Sequence, residues 1–342
     1  MLSSLRHASK HTKVPALQFA GTRLATASAR CLATVSQQSA PSNDGTQDPY
    51  AYCRSYVRKR DYEAFLMSHF YPNQLRDAFF ALRAFYVELA SIQESVSNPL
   101  IGKMRIQFWR DAVKSFNDGR PPKHPIALAL YDTSNKAKLP AYHLKRIVDA
   151  RNSFSRSVGV QDAELDSQSH MTVDSLTAHA ESTSSTFLYL LLALLSQSAS
   201  HTYSHAASHV GVAQTISTLL RALPYHASKG HLVIPAEITA RHGVSQEEVF
   251  RYGGDAKKID DAVFDFATLA NDHLITARDM FNKECGGKVP TPVRPVFLSA
   301  VPAALYLERL EKVNFDAFDP SLQQRSWRLP WRIWRGYYAG AV

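Results

Sequence analysis

Apolar residues recur along this chain at the spacing of one helix face. They run through Leu75, Phe79, Leu82, Phe85 and Leu89, then Met104, Phe108, Val113 and Phe116, and again Val263, Phe266, Leu269 and Leu274. Residues three and four apart stack on one side of an α-helix, so each row can be buried only if the segment is helical. Alternation of period two, which would place one face of a strand inward, is scarce. The helices have explicit stops at Asn98-Pro99, at Asp118-Gly119 with Pro121-Pro122, and at Gly286-Gly287 ahead of Pro290 and Pro292. Such residues end helices because proline lacks the donor and glycine readily adopts the left-handed cap. The pattern predicts an all-α protein with roughly nine to eleven helices and no internal repeat. With 342 residues and 45% apolar content, the chain can bury one large core or two small ones, and one domain is favoured.

Two of the predicted helices carry a frame without its chemistry. Residues 216 to 244 read ISTLLRALPYHASKGHLVIPAEITARHGV, and residues 83 to 96 read RAFYVELASIQESV. The first resembles the second acidic helix of the squalene/phytoene synthase family: a leucine-rich helix, Arg-Asp, a second Asp four residues on, Ala-x-x-Gly-Arg, an apolar run, Pro, then His-Gly-Val. Arg221, Ala227, Gly230, Pro235, His242, Gly243 and Val244 fit that frame, while Ala222 and His226 stand at the two aspartate positions. The other segment resembles the family's Arg-x-x-Asp-Asp-x-x-Asp helix, with Val87 for the arginine, Ala90 and Ser91 for the first two acids, and Glu94 for the third. The resemblance implies an isoprenoid-synthase fold whose relic pocket is lined by Ala90, Ser91, Glu94, Arg221, Ala222 and His226.

The loss has a physical consequence. Ionising a prenyl diphosphate calls for Mg²⁺ held by carboxylates, since this hard cation takes oxygen ligands and binds through acids plus substrate phosphates. Acids four apart on a helix share a face, so two such helices can clamp the metals. Alanine cannot ligate Mg²⁺ and histidine is a poor choice for it. Glu88 lies on the opposite side of its helix from Glu94 and cannot repair the site; a plain alternative makes both acids ordinary solvated helix residues. No catalytic residue, metal site or cofactor is therefore expected. Arg221 could bind an anion where the diphosphate once lay, or could be a structural arginine paired with a helix acid.

Further segments narrow the resemblance. GKMRIQFWRDAV (102 to 113), LTAHAESTSSTFLYLLL (176 to 192), NDHLITARDM (271 to 280) and VNFDAFDPSLQQ (313 to 324) are similar to the mitochondrial squalene/phytoene-synthase-like proteins that assist assembly of respiratory complex I. The resemblance implies a helical domain over 50 to 324 that acts without catalysis at the matrix face of the inner membrane, with complex I subunits or other assembly factors as partners. Two rivals stay open: an active prenyl-condensing synthase with a rewired site, and an inactive fold whose cavity carries an isoprenoid or other lipid.

Charge is informative once divided by position. Residues 1 to 43 contain no acid but five basic residues, Arg6, Lys10, Lys13, Arg23 and Arg30, amid Ser, Thr and Ala. This is the composition of a mitochondrial transit peptide and lead-in, and Arg30-Cys31-Leu32 before Ala33 reads as a cleavage site. Past Asp319 there are again no acids but four arginines, leaving 30 basic residues against 30 acids between the ends. A neutral middle argues against nucleic-acid binding, which would place a basic stripe across the folded domain. Cys31, Cys53 and Cys285 are too few and too dispersed for a disulfide framework. The longest unbroken apolar run, 187 to 195, has nine residues, far short of the roughly 20 that span a bilayer.

The tail, 325 to 342, holds three of the four tryptophans. SWRLPWRIWRGYY sets Trp327, Trp331 and Trp334 on one helix face beside Arg328, Arg332 and Arg335. Tryptophan favours the headgroup layer and arginine an anionic surface, so this reads as an inner-membrane contact. The competing reading buries the tryptophans in the domain's own core. Pro330 allows a helix only from about its own position onward. His201, His205 and His209 are spaced for one helix face, but their ends are too far apart to share an ion, and a pair would need a third ligand elsewhere. No G-x-S-x-G, phosphate-cradling loop or C-x-x-C is present, so hydrolase, nucleotide and redox-motif functions have no anchor.

Overall fold

The computed structural model describes residues 48 to 156, except Ser97, and 172 to 341; the acid-free segment 1 to 43 and its cleavage site lie outside the described residues. Every regular element among those described is helical. In chain order they are α1 (Pro49–Arg60), α2 (Tyr62–Met67), α3 (Asn73–Ser95), α4 (Pro99–Ser115), α5 (Pro125–Ala137) and α6 (Ala141–Arg156). After them come α7 (Val173–Ala180), α8 (Thr186–Leu194), α9 (His201–Ala227), α10 (Ala236–His242), α11 (Gln246–Tyr252) and α12 (Ile259–Glu284). The chain closes with α13 (Arg294–Phe297), α14 (Ala300–Lys312), α15 (Pro320–Gln323) and α16 (Leu329–Ala339). Nine of these exceed ten residues, and the remainder are one or two turns.

The boundaries have local causes. Asp48 and Pro49 start α1, and Asn98 with Pro99 starts α4, each a side-chain cap followed by a proline in the first turn. Gly243, at φ 66°, ends α10, and Gly340, at φ 68°, ends α16, both in the left-handed conformation that closes a helix. The stretch 230 to 235 that leaves α9 is not a strand, although Leu232, Val233 and Ile234 are buried.

Two clusters of buried apolar residues form the interior. One joins α1, α3, α4, α5, α6 and α8 to the first half of α9 and to Leu329 and Ile333 of α16. The other joins the second half of α9 to α10, α11, the first half of α12 and Leu310 of α14. The long helices α9 and α12 pass through both and tie them together.

The periodic rows on α3 and α12 face the core, but the row predicted through α4 divides, with Val113 and Phe116 buried and Met104 and Phe108 facing out. Met104 is 65% and Phe108 38% exposed, while Ile106, Trp109 and Val113 are buried. The helix carries two apolar stripes. Trp109 buries the most area and meets Phe85 edge-to-face, ring centroids 5.4 Å apart, so it takes the inside position.

Candidate functional site

The two frame-bearing helices are α3 and α9. At the end of α3, Ala90 and Ser91 are half-buried and Glu94 is exposed. The Ser91 hydroxyl is turned onto its own helix, donating to the Glu88 carbonyl at 3.0 Å. On α9, Ala222 and His226 are half-buried, with Pro224 between them in the last turns. Burial pulls the His226 imidazole below its usual range, with the field of Glu94 opposing the shift and that of His231 adding to it. The helix ends are therefore close enough for the Glu94 carboxylate to act on His226. Between them they offer one carboxylate and one largely neutral imidazole, where the family frame has acids.

The cations of the cleft are engaged within the protein. Arg221 reaches Glu63 of α2, Nη1 to Oε1 2.6 Å, and Gln323 donates to its carbonyl at 3.2 Å. Deeper on α3, Arg83 binds Asp61 at 2.6 Å with both side chains largely buried, and its guanidinium lies over the rings of Tyr86 and Phe187. Glu88 is not a solvated acid: it is 8% exposed, accepts from Tyr56 at 2.6 Å and pairs with Arg105. Burial and the Glu88 hydrogen bond push the Tyr56 phenol up to about 12. A carboxylate facing inward from a helix is tolerated when paired and hydrogen-bonded, and Arg105, 17 residues away on α4, supplies the pairing.

Below this level the HAESTSS segment forms a π-helical turn, Glu181–Ser185, between α7 and α8. Hydroxyls bond back to the chain there: Thr183 to the His179 carbonyl and Thr186 to the Glu181 carbonyl, both at 2.7 Å. Such bonds compete with the regular ladder and favour a local widening. Ser184 joins α3 to α9, meeting Tyr86 at 2.9 Å and Thr215 at 2.8 Å. Gly211 of α9 is obligatory at this crossing, because a Cβ there would lie 2.4 to 2.6 Å from Ser185 atoms. A cavity edged by Tyr71, Arg83, Phe187 and Ser299 holds about 10 Å³, room for about one water and none for a prenyl chain.

The tail makes a different kind of surface. Leu329 and Ile333 of α16 are buried, while Trp327, Trp331 and Trp334 are 82%, 58% and 46% exposed. It is the two aliphatic residues that close the core. Trp331 and Trp334 stack at 4.8 Å, and Trp334 adjoins the exposed Tyr338 at 5.0 Å. The predicted arginine stripe is divided: Arg328 lies over the Trp327 ring, Arg332 pairs with Glu308 of α14, and Arg335 is exposed. The helix begins at Leu329 with Pro330 in its first turn.

The histidines 201, 205 and 209 lie on the first turns of α9, and no sequence signal tied them to His273 of α12, whose Nδ1 is 2.8 Å from that of His209. In the orientations seen, no three His, Cys, Asp or Glu groups among the described residues converge to hold a metal. No described helix is long and apolar enough to cross a membrane. Asp61, Glu63 and Arg105 were likewise missed as partners of the site, because helical spacing reports only near neighbours in sequence.

Comparison with known proteins agrees with this geometry. The squalene/phytoene synthase family model matches residues 57–335. A rat protein named NADH dehydrogenase (ubiquinone) complex I, assembly factor 6 is 39% identical over 303 residues, 87% of this chain and 86% of that protein. Its human counterpart is 39% identical over 309 residues, 89% of this chain and 87% of its own. A crystal structure of a dehydrosqualene synthase superposes with a TM-score of 0.68 at 16% identity, covering 84% of this chain and 94% of that one, which establishes a shared isoprenoid-synthase type of fold. The chain belongs to the squalene/phytoene synthase family.

Proposed function

We propose that this protein is a catalytically inactive member of the family that acts in assembly of mitochondrial respiratory complex I, peripherally at the matrix face of the inner membrane. The assembly role is supported by the 39% identity, over 87% of the chain, to a protein named for it. One observation carries the inactivity: the acid positions hold Ala90, Ser91, Ala222 and His226, and the nearby arginines spend their charge on Glu63 and Asp61. A diphosphate entering this cleft meets neither a metal-binding carboxylate set nor an unpaired arginine at 221. The acid-free N-terminal segment supports import into mitochondria. The exposed aromatic and basic side chains of α16 and the two residues before it support a contact with anionic lipid through Trp327, Arg328, Trp331, Trp334 and Arg335, to which Arg332 contributes through a side chain shared with Glu308. The partners are complex I subunits or other assembly factors.

Deleting the gene and re-expressing wild-type or Glu94→Ala protein tests the proposal. The deletion lowers assembled complex I on native gels without changing isoprenoid levels, and both forms restore it. Purified protein leaves farnesyl and geranylgeranyl diphosphate unconverted with Mg²⁺ or Mn²⁺. Turnover abolished by Glu94→Ala would establish a rewired synthase, and normal complex I with altered isoprenoids would remove the assembly role.

A further inference from the structure

Four histidines form a continuous row on one side of the molecule, away from the cleft. His201, His205 and His209 follow one another on α9, with ring centroids 5.7 and 5.1 Å apart. The row ends at His273 of α12, its ring 5.0 Å from that of His209 and the two Nδ1 atoms 2.8 Å apart. Sequence spacing supplies the pair on α9. The packing of α12 on α9 supplies a third imidazole from a second element.

We propose that His205, His209 and His273 form a surface site for one borderline divalent cation of the zinc class, bound by three imidazoles with a position open to water. At 2.8 Å, one Nδ1 must donate a proton to the lone pair of the other, so the two rings are already aimed at a shared point. Replacing that proton by a metal requires each nitrogen to stand about 2.0–2.1 Å from the ion, which opens the pair by about half an ångström. The third ring, His205, is exposed, so it can turn toward that point without disturbing the core. This turn is needed, because the rings as they stand do not converge. Zinc-class ions suit such a site, since imidazole is a preferred ligand for them, whereas Mg²⁺ and Ca²⁺ take oxygen.

The surroundings favour a cation. The field of Glu181 acts on both His209 and His273 in the direction that favours positive charge. Glu181 itself is fixed by Ser208 and by Tyr189 at 3.2 Å, close enough to stabilise positive charge without being a ligand. Asp272 adds to the negative field at His273. His201, a full turn further along α9 from His205, is outside the set.

The test is calorimetric titration of Zn²⁺ into the full chain carrying Cys31→Ser and Cys285→Ser, which leaves the buried Cys53 as the one thiol. The expected result is saturable binding of one ion per chain, weakened at least about tenfold by His205→Ala, His209→Ala or His273→Ala and by less than about twofold by His201→Ala, a difference of at least ~1 kcal/mol. Lowering the pH from about 7.5 to about 5.5 should weaken binding as the imidazoles protonate. X-ray absorption on the zinc-loaded parent should show three imidazole nitrogens, a readout that does not depend on the variants folding. Absence of saturable binding, one or two imidazoles in the absorption spectrum, or a loss from His201→Ala and His205→Ala that spares His273→Ala would each overturn the site.

Discussion

The cleft and the tail treat their charged and aromatic residues in opposite ways. In the cleft the arginines are answered from within, Arg83 by Asp61 and Arg221 by Glu63, and the aromatic Tyr86 is covered. On α16 Trp331 and Trp334 stand 58% and 46% exposed and Trp327, just before it, 82%, while two aliphatic residues do the packing. Internal pairing leaves the cleft little free-energy gain from binding a diphosphate, because a ligand must first displace a carboxylate already in place. The tail has not made its equivalent contacts, and the stacked Trp331 and Trp334 gain from any surface that covers them. Arg83 and Arg221 are thus paired within the protein, and the exposed tryptophans lie elsewhere, on α16 and just before it.

Five substitutions probe that contrast, in order of expected effect on stability. Arg83→Ala leaves the Asp61 carboxylate unpaired where both side chains are 12% to 14% exposed; loss of one member of such a pair costs about 3–5 kcal/mol, read from denaturant unfolding. A cost below 1 kcal/mol would show that the inner cleft is not held by its own charges. Gly211→Ala drives a methyl to within 2.5 and 2.6 Å of the Ser185 backbone at the crossing of α9 and the π-helical turn and should cost about 1–3 kcal/mol, a loss that Ser185→Gly leaves in place because those backbone atoms remain.

Arg221→Ala breaks a pair whose side chains are 42% and 30% exposed, so water screens it and the cost should stay within about 1 kcal/mol. If inorganic diphosphate protects wild-type protein from unfolding and this variant not at all, Arg221 is an anion site and the cleft is less self-contained than described. The smallest stability change belongs to the tail. Trp331→Glu and Arg335→Glu alter exposed residues and should shift stability by no more than about 0.5 kcal/mol, yet release the protein from anionic liposomes in flotation. Arg332→Glu is a poor substitute, since it also places an acid beside Glu308. Attachment that ignores raised salt as well as these changes would exclude the arginine-assisted membrane contact.

Much of the fold was legible because burial imposes a period that can be counted. The rows through Phe79, Leu82 and Phe85 and through Val263 and Phe266 are core rows, and the Pro and Gly stops fall between helices. The same logic failed on α4, where Met104–Phe108 and Ile106–Trp109 are both apolar stripes and only the position of Phe85 on a neighbouring helix selects between them. At the proposed site the identities of Ala90, Ser91, Ala222 and His226 are readable residue by residue, but the environment of Glu88 is not. Its place in the helical repeat says which side of α3 it occupies, and nothing about the Arg105 and Tyr56 that make that side tolerable.

The sequence by itself determined the helical class, the family frame and the net positive charge carried by the two ends, since each is a property of residue identity and near spacing. Tertiary structure decided which cations are neutralised, which aromatics face out and which histidines meet. Arg221 and Glu63 are 158 residues apart, and His209 and His273 are 64 apart. Contacts at such separations depend on how helices pack against one another, and a local period carries no information about that packing.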